Sequence, residues 1–123
     1  MCATALIVDD SWIARLKIGE IVKSAGYTVL EAASGKEGLE RIEKEAPDIV
    51  LLDLLMPEMT GFDVLRELKE QGRKLPVIVI TADIQETTRT ECLTAGAAAV
   101  INKPPKRDIL LRTMHDFVPE EVS

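Results

Sequence analysis

Five polar residues of this chain close its apolar runs. Asp9 and Asp10 follow Ala5–Val8, Asp53 follows Ile49–Leu52, Thr81 follows Val77–Ile80, and Lys103 follows Val100–Ile101 after one asparagine. Adjacent aspartates repel each other unless a cation neutralises them. Mg2+ prefers oxygen ligands and commonly takes one or two protein carboxylates together with a phosphate oxygen. A carboxylate can also attack phosphorus and form an aspartyl-phosphate. The oxygens of a transferring phosphoryl group need fixed cations and donors, which a lysine ammonium and a threonine hydroxyl supply. Each residue also has an ordinary structural explanation when taken alone. Asp9 and Asp10 can cap a helix beside Ser11, Asp53 can start a turn, Thr81 suits a strand, and Lys103 can snorkel at the surface. The chemistry requires that the five meet.

The surrounding pattern brings them together. Strands are predicted at Ala5–Val8, Tyr27–Leu30, Ile49–Leu52, Val77–Ile80 and Val100–Ile101. Ile49–Leu52 and Val77–Ile80 are apolar throughout, as strands buried on both faces must be. Between them lie helical patterns. Ser11 offers an N-cap, and Ala14, Ile18, Ile21, Val22 and Ala25 recur at helical spacing until Gly26. A second helix runs from Ser34, with Leu39 and Ile42 inward, to Ala46-Pro47. A third places Phe62, Leu65 and Leu68 on one face and stops at Gly72. A polar, threonine-rich helix covers Gln85–Thr94, and Ile109, Leu110, Met114 and Phe117 line the last. Five strands alternating with five helices imply an α/β, doubly wound parallel sheet in three layers, with right-handed crossovers. Pattern alone leaves the strand order open, with the flavodoxin-like order 2-1-3-4-5 preferred. The carboxyl edge of such a sheet is where ligands bind, and all five polar groups surface there.

Composition sets the wider limits. A chain of 123 residues makes one domain, expected over residues 1–118 with a tail or the start of a linker at 119–123. Aromatic residues are only 3%, so the core must be aliphatic. Cys2 and Cys92 lack metal-ligand spacing and read as free thiols of a reducing cytosol. A net charge of −6 and a pI near 4.8 argue against a nucleic-acid phosphate backbone as partner. No leader and no membrane-length apolar run is seen, so a cytoplasmic protein without membrane contact is expected.

The runs Leu6-Ile7-Val8-Asp9-Asp10-Ser11 and Asp48-Ile49-Val50-Leu51-Leu52-Asp53-Leu54-Leu55-Met56-Pro57-Glu58-Met59-Thr60-Gly61, followed by Thr81-Ala82, Ala95-Gly96-Ala97 and Lys103-Pro104, resemble a response-regulator receiver domain over essentially the whole chain. The resemblance implies the 2-1-3-4-5 order and a phosphorylation-dependent switch of a two-component system. It implies Asp53 as phosphoacceptor and a Mg2+ (or Mn2+) site formed by Asp9, Asp10, Asp53 and the Leu55 backbone carbonyl. Thr81 and Lys103 would contact the phosphoryl group. A sensor histidine kinase or phosphotransfer protein would be the donor, and an unidentified protein the target. Such a domain catalyses only its own phosphorylation and dephosphorylation and is not otherwise an enzyme. Gln85, Arg89, Val100 and Ile109 fall on the face through which receivers meet partners.

Departures from the family pattern are informative. Val100 stands where receivers usually carry Tyr or Phe, and a valine has one short, stiff torsion. Pro105 also replaces a common aromatic residue. Leu55 and Asp83 flank the site, where Asp83 could position or repel a water and Leu55 could only shield. Trp12 is expected near the acidic pair, partly buried against neighbouring loops, and His115 exposed on the last helix. A module excised from a larger regulator or hybrid kinase is one alternative, and a phosphorylation-independent pseudo-receiver scaffold another. A phosphohydrolase of the haloacid dehalogenase type would need a carboxylate at position 55, which is leucine. A flavin site would need a phosphate loop, where Asp-Asp-Ser-Trp would repel the anion.

Overall fold

The computed structural model describes residues 3–118. Cys2 and the 119–123 tail lie outside the described residues. Five strands alternate with five helices: β1 Thr4–Val8, α1 Trp12–Ser24, β2 Thr28–Ala32, α2 Gly35–Glu45, β3 Ile49–Asp53, α3 Gly61–Glu70, β4 Val77–Thr81, α4 Glu86–Thr94, β5 Ala99–Asn102 and α5 Arg107–Phe117. The sheet is parallel throughout, in the order β2-β1-β3-β4-β5. The flavodoxin-like arrangement expected from the sequence is therefore the one found.

Alternation along the strands divides the core into two layers. Leu6, Val8, Val50, Leu52, Val77 and Val79 face one side, packing with Ile42 of α2, Val64, Leu65 and Leu68 of α3 and Cys92 of α4. Ala5, Ile7, Ile49, Leu51, Ile78 and Ile80 face the other, with Ile18 and Val22 of α1 and Leu110 and Met114 of α5. Each large aliphatic side chain withdrawn from water contributes about 1.5–3 kcal/mol before entropy is subtracted. The fully buried core is thus non-aromatic, with Phe62 and Tyr27 packed only against its margins.

Several local expectations shift. β2 begins and ends later than Tyr27–Leu30, because its register against β1 runs from Thr4↔Thr28 to Val8↔Ala32. Glu31 breaks the apolar run on this edge strand, and Ala32 beyond it is buried in the core. β5 gains Ala99 and Asn102 through its ladder with β4. Ile109 and Phe117 do not line the core side of α5; both are exposed, while Leu110 and Met114 are buried. Ala25 is also exposed, as the C-cap of α1.

The start of α3 is fixed by a reciprocal cap. The Thr60 hydroxyl accepts the Asp63 N–H (3.3 Å), and the Asp63 carboxylate accepts the Thr60 N–H (2.9 Å). Both orphan donors are thereby satisfied. Thr60→Ala is expected to destabilise the protein by about 1 kcal/mol, measured by denaturant unfolding; an unchanged midpoint would show that the cap is dispensable.

Candidate metal and phosphoryl site

Strand order decides what meets at the carboxyl edge. β3 lies between β1 and β4, with Val8 opposite Leu52 and Asp53 opposite Ile80. Asp9 therefore emerges beside Asp53, and Asp10 follows it. Ligand atoms of Asp9, Asp10 and Asp53 all lie within 4.8 Å of one another. Asp9 and Asp53 are buried and Asp10 is exposed.

Lys103 crosses the edge from β5. Its ammonium donates to Asp9 Oδ2 (2.7 Å) and Asp53 Oδ1 (3.3 Å), so it is no snorkelling surface lysine. The four-carbon stem gives the reach past β4 that a shorter side chain lacks. The Lys103-Pro104 peptide is cis. Burial raises the Asp53 pKa above the usual carboxylate value, and the charge of Asp9 adds to this; Lys103 opposes both without cancelling them. Burial works against the Lys103 ammonium, yet the hydrogen bond it donates to Asp9 and the charges of Asp53 and Asp9 hold its pKa above the ordinary lysine value.

Three carboxylates against one ammonium leave two negative charges uncompensated, the charge of one divalent cation. All the donors are hard oxygens, as Mg2+ or Mn2+ requires. The residues present therefore fit such an ion.

Asp9 Oδ1 also accepts the Ser11 N–H (2.9 Å) on the approach to α1, while the cap itself is Ser11, whose hydroxyl accepts the Ala14 N–H.

The response regulator receiver domain model matches residues 5–115. The chain belongs to this family. A protein-glutamate methylesterase/protein-glutamine glutaminase of Treponema denticola is 43% identical, over 80% of this chain and 28% of its own length. The chain thus spans little more than a quarter of that relative. Protein PilH of Pseudomonas aeruginosa is 35% identical, over 92% of this chain and 95% of its own. Among solved structures, the CheX-CheY-BeF3-Mg2+ complex from Borrelia burgdorferi contains a chain that superposes with a TM-score of 0.88 at 34% identity, covering 95% of this chain and 90% of that one. Receiver domains are signalling modules of two-component systems that bind Mg2+ at an acidic cluster of this kind.

Other expected residues of the receiver fall in varied places. Thr81 is 1% exposed, and its hydroxyl accepts the Asp83 N–H (3.1 Å); it makes no hydrogen bond to the acidic cluster. Asp83 is engaged at the head of α4: Oδ1 accepts the Gln85 N–H (3.0 Å) and Oδ2 the Thr88 hydroxyl (2.7 Å). These bonds, the Gln85 one foremost, hold its pKa below the usual carboxylate value. Leu55 is exposed. Trp12 stands at the head of α1 as expected but is 64% exposed, so the expected partial burial against loops does not occur. His115 is exposed on α5. Among the described residues, no helix is long and apolar enough to cross a membrane.

The predicted partner face is only partly joined. Arg89 of α4 donates to the Val100 carbonyl (3.2 Å), linking helix and edge strand. Val100 is half-buried against the α2/α3 layer. Ile109 is exposed on α5, and Gln85 precedes α4 without a side-chain cap bond. Three participants were missed in the sequence: Arg15, which donates to the Asp9 carbonyl, Glu31, which pairs with Arg15, and Thr88. Only Glu31 could have been noticed, as a charge at the end of a strand.

Gly61 supports the site through the backbone. A Cβ there would lie 2.7 Å from the Asp53 carbonyl oxygen and 2.9 Å from Leu54 Cα. Gly61 also donates its N–H to the Leu54 carbonyl (2.8 Å), drawing the loop against the end of β3. Gly61→Ala is expected to cost about 1–3 kcal/mol and to disturb the Asp53 amide resonance. An unshifted resonance with full stability would refute this packing.

Proposed function

We propose that the chain is a signalling switch that takes a phosphoryl group onto Asp53 from the phosphohistidine of a kinase or phosphotransfer protein. One observation carries this reading: Asp53 shares a rim with two further carboxylates and with an ammonium that bridges it to Asp9. A carboxylate oxygen of Asp53 attacks phosphorus as the P–N bond to the donor imidazole breaks, and the imidazole, protonated beforehand on its other ring nitrogen, leaves neutral. Asp9, Asp10, Asp53 and the Leu55 carbonyl would hold the Mg2+ (or Mn2+), which supplies charge neutralisation at the phosphoryl oxygens. Lys103 stabilises another of those oxygens, and Thr81 donates its hydroxyl to a third.

The readout follows from what Thr81 holds at rest. Turning its hydroxyl toward the phosphoryl group withdraws an acceptor from the Asp83 N–H. Asp83 in turn holds Gln85 and Thr88 at the head of α4. The α4–β5 surface carrying Gln85, Arg89 and Val100, with Ile109 on the adjoining α5, then shifts between two populations without an aromatic side chain at position 100. A protein target reads that surface, and no direct nucleic-acid contact is involved. The receiver unit is residues 1–118.

Incubation with acetyl phosphate and Mg2+ followed by intact-mass measurement tests the reading. Wild type gains one phosphoryl mass that is lost when Mg2+ is omitted. No gain, or a gain indifferent to Mg2+, would sink it. Steady release of phosphate from small phosphoesters would favour a phosphohydrolase instead.

A further inference from the structure

We infer that Arg15 is a positioning residue for the acidic site, aiming Asp10 through the backbone of Asp9, and that Glu31 neutralises it so that it does not compete with the metal. This rests on the metal–phosphoryl reading above and assigns parts to two residues outside it.

Arg15 lies one turn into α1. Its Nη1 donates to the Asp9 carbonyl (2.7 Å) and its Nε to Glu31 Oε1 (2.9 Å). The side chain is 16% exposed, on a helix whose neighbouring Ile13 and Leu16 are about half exposed. Every polar group of Asp9 is thereby engaged: N–H to the Ala32 carbonyl, Oδ1 from Ser11, Oδ2 from Lys103, and the carbonyl from Arg15. Asp10 is exposed, and no hydrogen bond holds its carboxylate among the described residues. Its direction is inherited from the backbone. The Asp9 carbonyl and the Asp10 N–H belong to one planar peptide, so a bond that fixes the carbonyl fixes the plane from which Asp10 departs.

A cation this close to a cation site carries a penalty, because like charges repel across a few ångströms. Glu31 removes it. The parallel register sets Ile7 opposite Glu31 and Val8 opposite Ala32, so the carboxylate stands at the β2 end beside Arg15. Two acceptors are met at once by separate nitrogens of one planar fork, which a lysine ammonium cannot reproduce.

The sign of one substitution separates positioning from charge. Arg15→Met removes a positive charge, so electrostatics alone would tighten metal binding. Positioning predicts weaker binding, by about tenfold, the lower end for losing an outer-shell partner. Arg15→Lys keeps the charge but loses the two-point hold, and should fall between. Glu31→Gln leaves the guanidinium uncompensated; its loss of affinity should shrink at high salt, whereas that of Arg15→Met persists.

The experiment is calorimetric titration of the full chain with Mn2+ at neutral pH and two salt concentrations, with thermal melts to show each variant folded. Affinity in Arg15→Met equal to or above wild type overturns the inference. Should that variant fail to fold, unchanged affinity in both Arg15→Lys and Glu31→Gln overturns it equally. A wild type that binds no Mn2+ removes the metal reading and this one with it. Wild-type binding with indifferent variants removes this one alone.

Discussion

Asp53→Asn is expected to gain no phosphoryl mass from acetyl phosphate and Mg2+, and also to be more stable than wild type at neutral pH without divalent cations. The first result follows from the nucleophile: an amide oxygen cannot form the aspartyl-phosphate that a carboxylate forms. The second follows from electrostatics. Burial and the charge of Asp9 raise the Asp53 pKa above its unfolded value. The folded protein therefore holds this proton more tightly than the unfolded chain does. Stability from the protonated group is fully present below the ordinary carboxylate range, about pH 4, and is lost as pH rises through the raised value. At neutral pH the ionised Asp53 thus opposes folding, and the neutral amide relieves that opposition while filling the same space. The advantage should vanish on acidification and narrow when Mg2+ is added, because the ion binds the wild-type carboxylate. Melts across pH, paired with intact mass, check both halves. A phosphorylated variant, or one less stable than wild type at neutral pH, would contradict the site as described.

Lys103→Met should bind Mg2+ more tightly than wild type and yet fail to pass phosphorylation on to α4. The Lys103 ammonium is the cation that holds Asp9 and Asp53 together in the absence of metal. Its removal leaves two buried carboxylates facing each other. Breaking a buried pair commonly costs 3–5 kcal/mol; here the exposed Asp10 and the partly exposed lysine reduce this to about 2 kcal/mol. Mg2+ restores most of that loss, since the ion is then the only neutralising charge, and linkage requires the affinity to rise accordingly. The pH behaviour carries its own sign. The Lys103 pKa is raised on folding, so its contribution is complete below the ordinary lysine value, about 10.4, and is lost as pH rises through the raised one. The variant should lack that alkaline step. Calorimetry for the ion and hydrogen exchange in α4 after phosphorylation measure the two effects separately. A fall in Mg2+ affinity with exchange in α4 still responding would reverse the assigned role.

Much of this architecture was legible from one property: apolar runs that end in polar residues. The two-faced runs Ile49–Leu52 and Val77–Ile80 proved central, because only a strand covered on both sides can be apolar at every position. Helix starts were equally readable at Ser11 and Ser34, whose hydroxyls accept backbone N–H groups three residues on. Edge elements were read less well. β2 pairs on one side only, so its limits came from its register with β1, and Glu31 was overlooked. Faces of α5 were misjudged at Ile109 and Phe117, where helical spacing alone could not fix which stripe turns inward. Trp12 followed the same rule, since a large apolar side chain at a helix start is buried only if a neighbour covers it.

The sequence by itself determined the inventory at the rim: an acidic pair, a third carboxylate, a hydroxyl and an ammonium, each placed at the end of a strand by the length of the apolar run before it. That much is local, because burial pressure acts on each run separately. Tertiary structure decided the pairings. Strand order put Asp53 between Asp9 and the β4 end, the lysine stem crossed two strands to reach both carboxylates, and Arg15 found the Asp9 carbonyl together with Glu31. None of these contacts is encoded in spacing along the chain. Each depends on which surfaces come to lie beside one another once the sheet has twisted and both layers have packed.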